Sequence, residues 1–122
     1  MAAPNILSAT SIYGKTVGAA LDTTLTTTLL TCAANKVLKI NSIIVANVDG
    51  TSAADASVTF YDISATASYR KASTVSVPAD STLVVLGKDS PIYLEESDEI
   101  RGGAGANSDL EIIISYDELD DA

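Results

Sequence analysis

From Ser81 to Tyr116 the chain reads STLVVLGKDSPIYLEESDEIRGGAGANSDLEIIISY, with apolar residues recurring at every second position. Leu110, Ile112, Ile114 and Tyr116 alternate with Glu111, Ile113 and Ser115, and Ile92 and Leu94 flank Tyr93. A period of two places one set of side chains on a single face of an extended strand, whereas a helix needs a period of 3.6. The run is cut at Gly87, at Ser97–Asp98 and in GGAGAN, from Gly102 to Asn107. Such a stretch folds as four short strands joined by turns, and it commits the chain to β-structure.

The rest of the chain follows the same rule. A weak, glycine-interrupted strand covers 11–21, and glycine inside a strand marks a bulge or a close approach of another backbone. The threonine-rich segment TTLTTTLLTC, 23–32, reads as a second strand because β-branched residues favour extended backbone. KVLKINSIIVANV, 36–48, is the longest clear strand; a helix is its rival for LKINSIIV, and β-branching weighs against it. Asp49–Gly50 opens a turn-forming loop, DGTSAADA, before strands at 57–63 and 68–77. Pro78 breaks pairing, because proline offers no N–H to a ladder. The segments 82–86, 91–95, 99–102 and 109–116 complete about nine strands. Their spacing of roughly 8–12 residues predicts one all-β domain, an antiparallel β-sandwich or barrel. Jelly-roll topology is the form we favour, and pattern alone does not separate it from an immunoglobulin-like sandwich. The expected boundaries are an arm at 1–10, the sandwich at 11–116 and an acidic, fraying tail at 117–122.

The side chains available for a core are small. The chain has 18 Ala, 14 Ser and 13 Thr, against five Tyr, one Phe and no Trp. Large apolar side chains supply most burial energy, at about 25 cal/mol per Å². A chain this poor in aromatics is expected to draw part of its stability from a partner surface or from self-association as a trimer or dimer through its Ala/Ser/Thr-rich strand faces.

Charge excludes whole classes of partner. Residues 1–88 carry six basic and five acidic groups, net +1, and residues 89–122 carry one Arg and eleven acidic groups, net −10, which sum to −9. Phosphate-backbone binding needs clustered Lys and Arg, so no nucleic-acid partner is expected, nor an anionic membrane surface. No apolar run reaches the roughly 18 residues of a spanning helix. The amino terminus, MAAPNILSATSIYGK, has neither a basic n-region nor an apolar h-region, which leads us to expect a cytoplasmic translation product.

The candidate chemistry is thin. The chain has no His, which removes histidine acid–base catalysis and ligation, and its one cysteine, Cys32, forms no intrachain disulfide or thiolate cluster. Glu95, Glu96, Asp98 and Glu99 crowd one turn, and a glycosidase needs two carboxyls about 5–10 Å apart. Without aromatic platforms the expected role of these four is a solvated turn. Asp49, Asp55 and Asp62 surround DGTSAADA, but their spacing is not that of an EF-hand calcium loop. GGAGAN has no helix behind it, so it is not a phosphate cradle; positive φ in a hairpin explains its glycines. Arg70–Lys71 is the only basic doublet. No catalytic residue, metal ligand or cofactor-binding residue is assigned.

Two stretches, INSIIVANVDGTSAADASVTFYD and STVSVPADSTLVVLGKDSPIYLEESDEIRGGAGANSDLEIIISYDEL, carry a resemblance. Together they resemble small virion structural proteins of tailed bacteriophages, particularly those of cyanobacterial and marine phages. The shared wording is a strand ending in N-x-D-G, a V-x-V-P-A-x-S-T-L turn, an L-E-E-x-D-x-I turn and a closing S-Y-x-E-L strand. It covers residues 36–116. The resemblance implies a jelly roll or β-sandwich without enzymatic activity. Such a protein would bind the major capsid protein at the outer surface of the head as a cement or decoration protein. A tail, fibre or baseplate module with a receptor- or glycan-binding role is the alternative. A carbohydrate-active enzyme or free lectin on the same fold would depend on Glu95, Glu96, Asp98 and Glu99.

Overall fold

The computed structural model describes residues 7 and 9–120, and among these every regular element is a strand. In chain order they are β1 (Ser11–Ala20), β2 (Thr28–Thr31), β3 (Lys36–Asn47), β4 (Ala54–Asp62), β5 (Ala67–Val77), β6 (Thr82–Leu86), β7 (Ile92–Leu94), β8 (Glu99–Ala104) and β9 (Leu110–Asp120). They form two antiparallel sheets in a β-sandwich-like arrangement. The five-stranded sheet runs β1-β9-β3-β6, with β7 also pairing β3, and the four-stranded sheet runs β2-β8-β4-β5.

The core lies where the inward faces of the two sheets meet. Leu38, Ile40, Ile43 and Val45 of β3 and Leu110, Ile112 and Ile114 of β9 are buried in it with Ala56, Val58 and Ile100 from the other sheet. Alternation drives this: Ile43 pairs Ile114 and Val45 pairs Ile112, and directly opposed residues share a face. No aromatic side chain reaches full burial among the described residues; Phe60 and Tyr116 pack at the margin. Aliphatic branching fills the interior that aromatics would fill elsewhere. A register shift between Ile40 and Ser42 keeps both halves of β3 pointing inward, which explains why its outer face changes character along its length.

Four sequence expectations need correction. First, the segment 23–27 is not strand. Asp22 Oδ1 accepts from Thr24 N at 3.0 Å and Thr27 Oγ1 at 3.1 Å, so its threonines serve a capped loop. Second, the acidic end does not fray within the described residues. β9 runs to Asp120 between β1 and β3, where Lys15 meets Glu118 at 3.1 Å and Lys36 meets Asp120 at 2.7 Å. Lysines on both flanking strands offset the charge that argued for a tail, and Leu119 is buried. Third, Gly102 and Gly103 lie inside β8, and no glycine among the described residues has positive φ. They are needed for close approach: a Cβ on Gly102 would stand 2.7 Å from Ser57 O, and one on Gly103 would stand 2.5 Å from Thr24 O. Fourth, Thr10, assigned to the arm, donates to Asp120 O at 3.0 Å; the rest of that arm lies outside the described residues except Leu7 and Ala9.

Candidate functional site

The carboxylate turn 95–99 is a clasp. Asp98 is 4% exposed, against the expectation of a solvated turn. Its Oδ1 accepts from Ile63 N at 3.1 Å and its Oδ2 from Glu95 N at 3.0 Å, while its carbonyl accepts from Cys32 N at 3.0 Å. Ser97 N donates to Cys32 O at 2.9 Å, and Glu96 Oε2 accepts from Asn35 N at 2.7 Å. One turn therefore ties the β2–β3 connection to the end of β4. Glu99 accepts from Thr28 Oγ1 and Arg101 Nε, both at 2.8 Å, and these bonds hold its carboxyl below the usual range. The Arg101 guanidinium also lies 3.8 Å from the Tyr61 ring centre, a cation–π contact. Asp98, Glu96 and Glu99 thus act on the backbone and on neighbouring side chains. Burial pushes the Cys32 thiol up to about 11, which keeps it protonated and unreactive at neutral pH.

The three aspartates around DGTSAADA are not brought together. Asp55 stands near the start of β4 and Asp62 at its end, about 23 Å apart along an extended strand. Asp49 accepts from Thr51 N and Oγ1 at 3.0 and 2.9 Å, and Asp62 accepts from Ser64 N and Oγ at 3.1 and 2.8 Å. Each organises its own turn, and these bonds lower both carboxyls from their ordinary value.

The basic doublet marks a place that the sequence hid. Phe60 of β4, Tyr69, Arg70 and Lys71 of β5, and Ile92 and Tyr93 of β7 line a cleft of about 190 Å³. It opens where the edge of one sheet faces the edge of the other. Tyr69 is 57% exposed and Tyr93 44%, so half of the chain's six aromatic residues gather here with two cations. Small-molecule pockets usually run from roughly 300 Å³ upward. This cleft suits one or two side chains of a partner, and Tyr and Arg are residue types that dominate binding energy at interfaces. Thirty-three residues separate Phe60 from Tyr93, so nothing local announces the cluster.

A second exposed surface is the outer face of the five-stranded sheet. Gly18 pairs Ile113, Ile113 pairs Ile44, and Ile44 pairs Val84, which makes one row across β1, β9, β3 and β6. Ile113 and Val84 are 49% and 60% exposed. The corresponding face of the other sheet is covered in part by the 22–27 loop, which runs over Gly103.

Comparison with protein-family models, curated proteins and solved structures yields no match.

Proposed function

We propose that the protein is a non-enzymatic virion structural protein, a capsid cement or decoration protein that binds the major capsid protein on the outer surface of the head. The observation that carries this reading is where the signature turns of residues 36–116 lie. The N-x-D-G and V-P-A-D-S-T turns lock together: Asn47 N donates to Ser81 O at 2.8 Å, Asn47 Nδ2 to Val77 O at 2.9 Å, and Asp80 N to Asp49 O at 3.2 Å. The L-E-E-S-D-E-I turn is the Asp98 clasp. The residues that carry the resemblance are therefore occupied in building a scaffold, as a structural protein requires.

Strand order supports the jelly-roll form. β6 and β7 both pair antiparallel with the same side of β3, β6 at Ile43–Ala46 and β7 at Leu38–Ile40. Taken as one strand interrupted at 87–91, they leave two four-stranded sheets whose order fits two nested Greek keys. The outer face of the five-stranded sheet and the Tyr69–Tyr93 cleft supply contact surfaces. Many weak contacts repeated by capsid symmetry raise apparent affinity without one strong site.

Quantitative mass spectrometry of purified particles tests the reading: cement predicts hundreds of copies per virion. A few to a few dozen copies would move the protein to a tail, fibre or baseplate, where the aromatic cleft would serve receptor or glycan contact. Absence from particles would overturn both.

A further inference from the structure

The four sheet edges differ in how they are protected. β2 is four residues long, and the β6–β7 edge is interrupted at 87–91. β5 is long but bulged. Between Ala56 and Val58 its partners jump from Val75 to Ala72, and between Val58 and Thr59 from Ala72 to Arg70. Thr74 there has φ 47°, and Arg70 and Lys71 add charge. Short strands, bulges and cations are the usual guards against unwanted pairing. β1 has few of them. It spans ten residues, pairs β9 with no register shift, contains no Pro, and has one charged side chain, Lys15, engaged by Glu118.

The direction of its free backbone groups follows from the register. Leu21 N donates to Leu110 O at 2.8 Å, and the pairing of β1 with β9 continues unbroken from there. Odd-numbered residues of β1 therefore turn N–H and C=O toward β9. Ile12, Gly14, Thr16, Gly18 and Ala20 turn theirs outward, where no described backbone group meets them. These five residues also have their side chains on the outer face of the sheet.

We propose that β1 is completed by β1 of a second copy, paired antiparallel across a two-fold axis at Thr16. This deepens the self-association expected from the sequence and does not depend on the capsid. Thr16 is the midpoint of the five outward residues, so this register pairs all of them: Ile12 with Ala20, Gly14 with Gly18, and Thr16 with Thr16. Each pair exchanges two hydrogen bonds. On the inner face Tyr13 falls opposite Ala19 and Lys15 opposite Val17. In both inner pairs, and in Ile12–Ala20, a large side chain meets a smaller one. Ile12 and Tyr13, 60% and 50% exposed, gain cover. Centring one residue earlier would set Lys15 against Lys15, and a strand of another protein would have no reason to match this size pattern. The dimer is isologous, with the same patch used twice.

Sedimentation velocity of the purified chain from about 1 to 100 µM should show a dimer. Thr16→Lys places two ammonium groups opposite each other on the axis and should weaken dimerisation more than about tenfold. Thr16→Glu should do the same, and an equimolar mixture of the two should recover the dimer as a heterodimer. Thr16→Cys supplies an independent measurement on a neutral background. The Cα atoms of such a pair lie about 5.5 Å apart, within disulfide reach, so mild oxidation should give a covalent dimer. A monomer throughout the concentration range, a dimer indifferent to both charges, or a Thr16→Cys chain that does not cross-link would each overturn the proposal. Particle association is measured separately, so failure here leaves the copy-number test standing.

Discussion

The two sheets share a core and differ in how finished they are. In the four-stranded sheet, the 22–27 loop packs on Gly103, and Ser57 and Thr59 are buried. Ser57 Oγ accepts from Thr74 N at 3.0 Å, so a bulge on the edge strand is itself hydrogen-bonded. The Asp98 clasp ties one end of that sheet to the β2–β3 connection. The five-stranded sheet has a bare apolar row on its outer face and, at β1, an edge strand with few guards. The four-stranded sheet guards its β5 edge and covers part of its outer face. The other leaves its β1 edge and an apolar row open among the described residues. The contrast is one of outer faces and edges, since both sheets contribute to the same core.

The comparison can be broken most severely at Gly103. Gly103→Ala sets a methyl group 2.5 Å from the Thr24 carbonyl oxygen, a backbone atom with no flexible side chain to yield. We expect a loss of about 3 kcal/mol, at the upper end of overpacking costs, read as a lower urea midpoint. A change below about 0.5 kcal/mol would mean that the 22–27 loop does not seal this sheet. Asp98→Ala comes next. It leaves the Ile63 and Glu95 N–H groups without their acceptor, at a cost of about 2 kcal/mol or more. Because the same turn holds Cys32, this variant should also expose the thiol to disulfide reagents at pH 8, where the parent chain reacts only on unfolding.

Little of this difference is visible in the linear sequence. Alternation marks β3 and β9 because their side chains point at one core and the pattern is local. The glycines of GGAGAN look like turn residues, and only the folded chain reveals that Ser57 and Thr24 press on them. Asp98 looks like one more acid in an acidic turn; its two backbone donors come from residues 63 and 95, and the first is far away in sequence. The end of β9 reads as a tail because Lys15 and Lys36, which offset Glu118 and Asp120, lie about a hundred residues earlier. Periodicity is legible, and long-range pairing of charge and shape is not.

Smaller effects sharpen the contrast from the other side. Ile113→Ser and Val84→Ser lie on the bare row and should leave the stability of the isolated monomer within about 0.5 kcal/mol of the parent. Changes well above that would mean the row is already covered within the chain. Acid should act weakly on the four-stranded sheet. Glu99 has its carboxyl lowered by Arg101 and Thr28, so its contribution is present above the ordinary carboxylate range. It is lost as pH falls through the lowered value. Glu99→Gln should flatten that part of the stability–pH curve, and an unchanged curve would remove the ion pair from the account.

The central claim is that the five-stranded sheet has an open edge at β1 while the β5 edge of the four-stranded sheet is guarded by bulges and charge. Residue-resolved amide hydrogen exchange of the unmodified chain, at concentrations where it is mostly monomer and mostly dimer, tests this most directly. The amides of Ile12, Gly14, Thr16, Gly18 and Ala20 should exchange freely in the monomer and gain protection in the dimer, with β5 unchanged. Protection that appears along β5, or a dimer that forms while those five amides still exchange freely, would contradict it.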